Sequence, residues 1–225
     1  MKTRLASVLW SGTLALVLAG CSSPQARTEV TRVSAPTSLM QAAGQGDLAR
    51  VQQLMNQGES VNAVSDSGTA LTEAASNGKR DTMLALLRAG ANPNLGVAEG
   101  QSSPLHHAAA AGDVPALRVL LAAGANLEHR DGEGLTPVAV AVRGGSLPTI
   151  NALIQAGANV NAVMDGRSLL MQAVELNSLL MAQILIRAGA DVNFRSQTGM
   201  TALTIARERH LGDLEMLLVQ SGARS

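Results

Sequence analysis

Short apolar stripes at helical spacing run through this chain in pairs, each pair bracketed by polar, glycine-bearing segments. In the best-defined copy, Asp131-Gly132-Glu133-Gly134 leads through Leu135-Thr136-Pro137 into Val138-Ala139-Val140-Ala141. The glycines predict a tight turn, Thr136 stands where a helix cap is needed, and Pro137 suits the first helical position because the N–H it lacks would be unpaired there. The stripe stops near Gly144-Gly145. Ser146-Leu147-Pro148 then opens a second helix, with Ile150, Leu153 and Ile154 at i, i+3 and i+4 and a stop at Gly157.

The copy is one of six. A helix-ending glycine recurs at Gly58, Gly90, Gly124, Gly157, Gly189 and Gly222, at intervals of 32, 34, 33, 32 and 33 residues. Nineteen residues before each lies an apolar residue: Leu39, Leu71, Leu105, Val138, Leu170 and Leu203. Two landmarks held in one register while the linking segment varies mark a tandem repeat of helix–turn–helix units.

The helix starts read Thr69-Ala70-Leu71-Thr72, Ser103-Pro104-Leu105-His106, Thr136-Pro137-Val138-Ala139 and Thr201-Ala202-Leu203-Thr204, with looser copies at Thr37-Ser38-Leu39-Met40 and Ser168-Leu169-Leu170-Met171. A Gly-Ala-x-x-Asn phrase closes most units, at Gly90 to Asn94, Gly157 to Asn161 and Gly189 to Asn193; Gly58 to Asn62 lacks the Ala, and Gly124-Ala125 ends in Glu128. In period and helix start the unit resembles the ankyrin repeat. The resemblance implies an all-α repeat solenoid of stacked helix–turn–helix units linked by β-hairpin-like loops. It covers residues 37–225, in units of about 37–63, 64–94, 95–129, 130–162, 163–194 and 195–225.

The copies differ in places. Loops at Val64 to Gly68 and Val163 to Arg167 are one residue short, and the loop from Leu95 to Ser103 is one long. Unit five carries Asn177 where the others are expected to turn between helices on Gly. Glu215 stands where earlier units have Val51, Met83, Leu117, Ile150 and Ala182, which fits a terminal repeat with no neighbour to cover it. Units one and six read as caps.

Lys2 and Arg4 precede an apolar run from Leu5 to Gly20, long enough for the core of a signal peptide but short of a span of about 20 residues. Residues 1–20 read as that peptide. The run ends Leu18-Ala19-Gly20-Cys21, which resembles the bacterial lipobox; the resemblance implies cleavage before Cys21 and lipidation of its thiol. More than one acyl chain anchors a domain stably. Ser22 after the cysteine implies sorting to the outer membrane, facing the periplasm. Residues 21–36 read as the lipidated Cys and a flexible tether, being polar, Pro-bearing and without helical periodicity. Cys21 is the only cysteine, so no disulfide can form within the monomer, the expected state.

Composition narrows the functional classes. Hydrophobic residues make up 46% of the chain and aromatics 1%, suiting small helices packed through Ala and Leu. After residue 20 the chain holds 15 basic and 17 acidic residues, with no basic stripe or stacking aromatics to bind nucleic acid. The four histidines, His106, His107, His129 and His210, lie in no metal-ligand spacing, and no nucleophile elbow or phosphate loop is present; no catalysis and no cofactor are expected. His106 holds the His position of the family phrase, which implies a bond to a neighbouring loop, and His107 is expected to be exposed. The dispersed methionines read as core filling rather than a copper site, with Met164 and Met200 as exposed exceptions.

The family resemblance further implies a concave face, made of loop tips and outward positions of the first helices, that grips a protein partner. Carried over by position, the first-helix row is Gln41, Glu73, His107, Val140, Gln172 and Ile205, then Gly44, Ser76, Ala110, Arg143, Glu175 and Glu208. Among these and the loop tips, the partner-binding candidates are Glu73, His107, Arg143, Arg130, Glu133, Leu135, Met164, Arg167, Arg195 and Met200. Arg and exposed apolar side chains are the usual carriers of binding energy. Two functions follow as expectations: a non-catalytic adaptor tethered in the cell envelope that holds another envelope protein, or an inhibitor or immunity-type protein that occludes a toxin or enzyme.

Overall fold

The computed structural model describes residues 30–95 and 101–224. Six helix pairs follow one another as the periodicity predicts. Numbered along the chain, the first helices of the pairs are α1 (Ser38–Gln45), α3 (Ala70–Ser76), α5 (Pro104–Ala110), α7 (Pro137–Arg143), α9 (Leu169–Glu175) and α11 (Ala202–Glu208). Their partners are α2 (Leu48–Asn56), α4 (Arg80–Arg88), α6 (Val114–Ala122), α8 (Leu147–Gln155), α10 (Leu179–Arg187) and α12 (Gly212–Gln220). Each first helix packs on the next, and the second helices line the other side of the stack. The fold is the all-helical repeat solenoid expected.

Local chemistry sets the helix ends. The hydroxyls of Thr37, Thr69, Ser103, Ser168 and Thr201 each accept from the backbone N–H three residues on, satisfying a donor the helix leaves open. Thr136 departs from expectation. Its backbone takes the cap conformation, with Pro137 following, but its hydroxyl makes no cap bond and is buried without a partner. All six period-setting glycines sit in the left-handed region, with φ between 83 and 96°, where a Cβ is strained. The turn inside each pair uses the same region, at Gly46, Gly78, Gly112, Gly145, Asn177 and His210. Unit six thus departs from Gly as unit five does; His210, at φ 54°, is a second exception that the sequence reading passed over.

Both shortened loops carry antiparallel pairing. Strands β3 (Val163–Met164) and β4 (Arg167–Ser168) pair around Asp165-Gly166, whose φ values of 50 and 74° are those of a two-residue hairpin turn. In the other short loop Ser65 and Gly68 form an isolated bridge. Shortening leaves two residues in the turn, the number that hairpin geometry favours.

The end of the expected tether is not free. Thr31–Arg32 forms a strand, β1, that pairs in parallel with β2 (Ala63–Val64), and the Val33 N–H donates to the Val64 carbonyl at 2.9 Å. Val33 packs on the hydrophobic core. The ordered body therefore begins before residue 37. Residues 1–29, which hold the expected signal peptide and Cys21, lie outside the described residues, as do residues 96–100 of the lengthened loop.

One core runs the length of the stack. The six register residues Leu39, Leu71, Leu105, Val138, Leu170 and Leu203 are all buried, as are Val51, Met83, Leu117, Ile150 and Ala182 on the second helices. Glu215, their counterpart in α12, stays partly exposed and pairs with Arg207 across 2.8 Å. Met216 and Val219 stand exposed on the same terminal helix. The expected polar end of the stack is thus mixed, with a carboxylate beside open apolar residues. Among the described residues no helix is long and apolar enough to cross a membrane.

Candidate interaction surface

The loops project from the stack beside the first helices, and backbone hydrogen bonds fix their tips. In the loop of unit four the Asp131 carboxylate accepts from the N–H groups of Glu133 and Leu135, closing the turn. That closure settles which side chains face outward. Arg130 and Glu133 are exposed, and Arg130 donates to the Gly134 carbonyl at 2.8 Å. Glu133 forms an ion pair with Arg143 at the end of α7. In unit five the polarity is reversed: Arg167 at the loop pairs with Glu175 at the end of α9. Two adjacent repeats thus lock loop to helix with opposite charge order, and Arg195, in the next loop, is exposed.

The apolar candidates fare differently. Leu135 is 1% exposed and Met164 6%. Both belong to the core, so neither is an exposed anchor. The physical reason is the hairpin's alternation: in β3, Val163 faces out and Met164 in, a side choice that two-residue strands leave invisible in sequence. Leu135, one residue before the cap, is drawn under the loop that Asp131 closes. Met200 is half-buried against the core. The apolar residues that do lie open include Val163, Leu176, Leu179, Leu180 and Met216, none of which the sequence reading singled out.

The family description "Ankyrin repeats (3 copies)" matches residues 11–97, 94–164 and 140–224. The chain is an ankyrin repeat protein. It is 39% identical over 151 residues to the mouse B-cell lymphoma 3 protein homolog, covering 64% of this chain and 34% of that protein. It thus spans about a third of the length of the curated relatives first matched. A crystal structure of the ankyrin repeat domain of Bcl-3, an IkappaB family member, aligns with TM-score 0.77 at 34% identity, covering 86% of this chain and 89% of that one. An ankyrin repeat domain from Acinetobacter baumannii aligns with TM-score 0.76 at 33% identity, over 83% of this chain and 98% of that one.

Within the ankyrin stack the histidines have structural partners. His106 is buried; its Nε2 donates to the Leu135 carbonyl at 2.9 Å, while Nδ1 lies 2.7 Å from the Ser103 hydroxyl. The ring joins the cap of α5 to the loop of the next repeat, as the family phrase implied. Burial pushes its pKa below the ordinary imidazole value, against the pull of the Leu135 carbonyl and Asp131. His129 meets His106 edge-on with ring centroids 5.6 Å apart, and its Nε2 lies 3.1 Å from the Gln101 carbonyl oxygen.

His107 is half-buried rather than exposed, because α5 sits between its neighbours and the side chain lies against the stack. Burial lowers its pKa too, and the nearby Glu73 carboxylate opposes the shift. Glu73 and His107 are therefore neighbours along the row of first helices, and the Arg80–Asp113 ion pair, at 2.6 Å, joins the units on either side. Among the described residues no group of three or more His, Cys, Asp or Glu could hold a metal ion. Val140 and Ile205, expected in the outward row, are buried in the core, so the surface offers the charged and amide side chains of Gln41, Glu73, His107 and Gln172 with those of the helix ends and loops.

Proposed function

We propose that this ankyrin repeat protein is a non-catalytic adaptor, lipid-anchored through Cys21 in the bacterial cell envelope, that holds a protein partner on its concave face and loop tips. The observation that carries the reading is the set of charged side chains on the first helices and loops, Glu73, His107 and Arg143 with the exposed Arg130 and Arg195 at the loop tips. Those loop arginines stand on turns pinned by their own hydrogen bonds, so little is lost on ordering them. The partner is another envelope protein, the domain faces the periplasm, and Ser22 directs it to the outer membrane.

Photo-crosslinking in intact cells tests the surface. A crosslinker at Arg195 is expected to yield a defined adduct, one at Gln155 on the exposed side of α8 none. Arg130→Glu with Arg143→Glu removes the adduct at an unchanged melting temperature. Equal adducts from both faces, or an adduct that survives the double substitution, would sink the assignment. A second reading has one observation in its favour: human cyclin-dependent kinase 4 inhibitor B, named for inhibition, matches at 35% identity over 103 residues, 75% of its length. If the captured partner is an enzyme or toxin, loss of its activity on adding the chain selects that reading.

A further inference from the structure

Between α1 and α3 the concave face opens into a cleft of ≈ 390 Å³, lined by Pro36, Met40, Gln41, Gly44, Gln45, Glu73 and Asn77. Its walls are dissimilar. Pro36 supplies exposed apolar surface above the buried Met40, Gln41 and Gln45 are exposed amides, and Glu73 brings a carboxylate. Gly44 leaves the floor low: a Cβ there would come within 3.6 Å of Glu73 Oε2 and 3.5 Å of Asn77 Nδ2.

The carboxylate is the informative group. Four ion pairs occur among the described residues, Arg80–Asp113, Arg143–Glu133, Arg167–Glu175 and Arg207–Glu215, and Glu73 is in none of them. It is half-buried, and its charge reaches His107, whose burial favours the neutral ring. The amide N–H₂ of Asn77 is spent on the Glu73 carbonyl and the Ser76 hydroxyl, which leaves its oxygen as the free end. The cleft thus offers acceptors around an uncompensated negative charge, with an apolar edge at Pro36 for a methylene stem.

We propose that this cleft is a subsite for an arginine side chain of the protein partner. A guanidinium presents five donors in a planar fork that matches a carboxylate and flanking amide oxygens, and its stem packs on Pro36 at the cleft's edge. A lysine ammonium would satisfy the charge but fewer of the acceptors. The proposal rests on the reading of the concave face as the binding surface and names what that face selects at its N-terminal end.

The probe is N-acetyl-arginine N′-methylamide, titrated into the full chain while the Met40 methyl resonance is followed by NMR. The expected result is a saturable shift, weaker with the lysine analogue and absent with the neutral citrulline analogue. Glu73→Gln, which keeps the shape, is expected to weaken binding about tenfold, and Gln41→Glu to tighten it several-fold. Melting curves of both variants show that each is folded. A citrulline analogue that binds as well, or an arginine shift untouched by Glu73→Gln in the folded protein, overturns the subsite. Free arginine binding more than about tenfold tighter than the capped residue overturns a protein partner in favour of a small ligand. These outcomes are independent of partner capture at Arg195, so the subsite and the adaptor reading fail separately.

Discussion

At the scale of single residues, His106 shows how a repeat position becomes a pH-dependent bond. Burial, the largest influence, holds its pKa below 6.5, and the same holds for His107. A histidine whose folded pKa is depressed binds fewer protons folded than unfolded. The stability it contributes is present above the unfolded value of about 6.5 and is lost as pH falls through it toward the lower folded value. The melting temperature is therefore expected to drop between pH 7.5 and 5.5. His106→Gln should lose about 1–3 kcal/mol at pH 7.5, because the Leu135 carbonyl and the Ser103 cap lose a partner, and its pH slope should be shallower. Urea unfolding of both proteins across that range checks this; an unchanged slope assigns the pH effect elsewhere. At the same scale, Leu135 and Met164 show what sequence conceals. Each was rightly placed in a loop, but which side chains turn to the core depends on where the turn closes: the Asp131 carboxylate draws Leu135 inward, and the Asp165-Gly166 turn sets which side of β3 carries Met164.

At the scale of elements, the Gly-Ala-x-x-Asn phrase acquires a mechanism. The amide of Asn62 donates to the Gly90 carbonyl at 3.1 Å and its oxygen accepts from the Asn92 N–H at 2.9 Å. Asn94 repeats this toward Gly124 and Asn126, Asn161 toward Gly189 and Asp191, and Asn193 toward Gly222 and Arg224. Each asparagine thus ties the end of its unit to the helix end of the next. Glu128 interrupts the ladder: it accepts from the Asn159 N–H at 2.9 Å but, ionised, has no donor for the Gly157 carbonyl. Glu128→Asn is expected to stabilise the protein by about 0.5–1.5 kcal/mol, and Asn161→Ala to destabilise it by a similar amount. Denaturation midpoints at constant m-value measure both; a neutral Glu128→Asn would mean that water already serves Gly157. The phrase was legible because its spacing is strict, and so were the helix pairs, whose apolar register and glycine stops agree. The β1 pairing was not, since Thr31 to Val33 carry no periodicity and gain their place only from the edge that Ala63–Val64 offers.

At the scale of the whole molecule, stability in a stack is a sum of units and of the interfaces between them, so the same substitution has different consequences at different positions. Leu120 and Leu218 are equivalent by register and both are fully buried, yet Leu120 lies in α6 with described repeats on either side, while Leu218 lies in α12 of the last described repeat. Truncation of either to Ala removes buried methyl groups worth about 2–5 kcal/mol. Leu120→Ala strikes the junction through which the two halves of the stack support each other, so a single transition is expected to move to lower temperature. Leu218→Ala loosens a unit held to the rest of the stack by the α9–α11 and α10–α12 packing, the Arg209 bond to the Glu175 carbonyl and the Asn193 bonds to Gly222 and Arg224. Repeat six should then open below global unfolding, its amides exchanging first while those of α3 and α5 keep their protection. Hydrogen exchange resolved by segment distinguishes the two. Uniform loss of protection in the Leu218→Ala protein would mean that the six repeats unfold as one body, with the ladder and loop pairs coupling the ends more tightly than nearest-neighbour stacking provides.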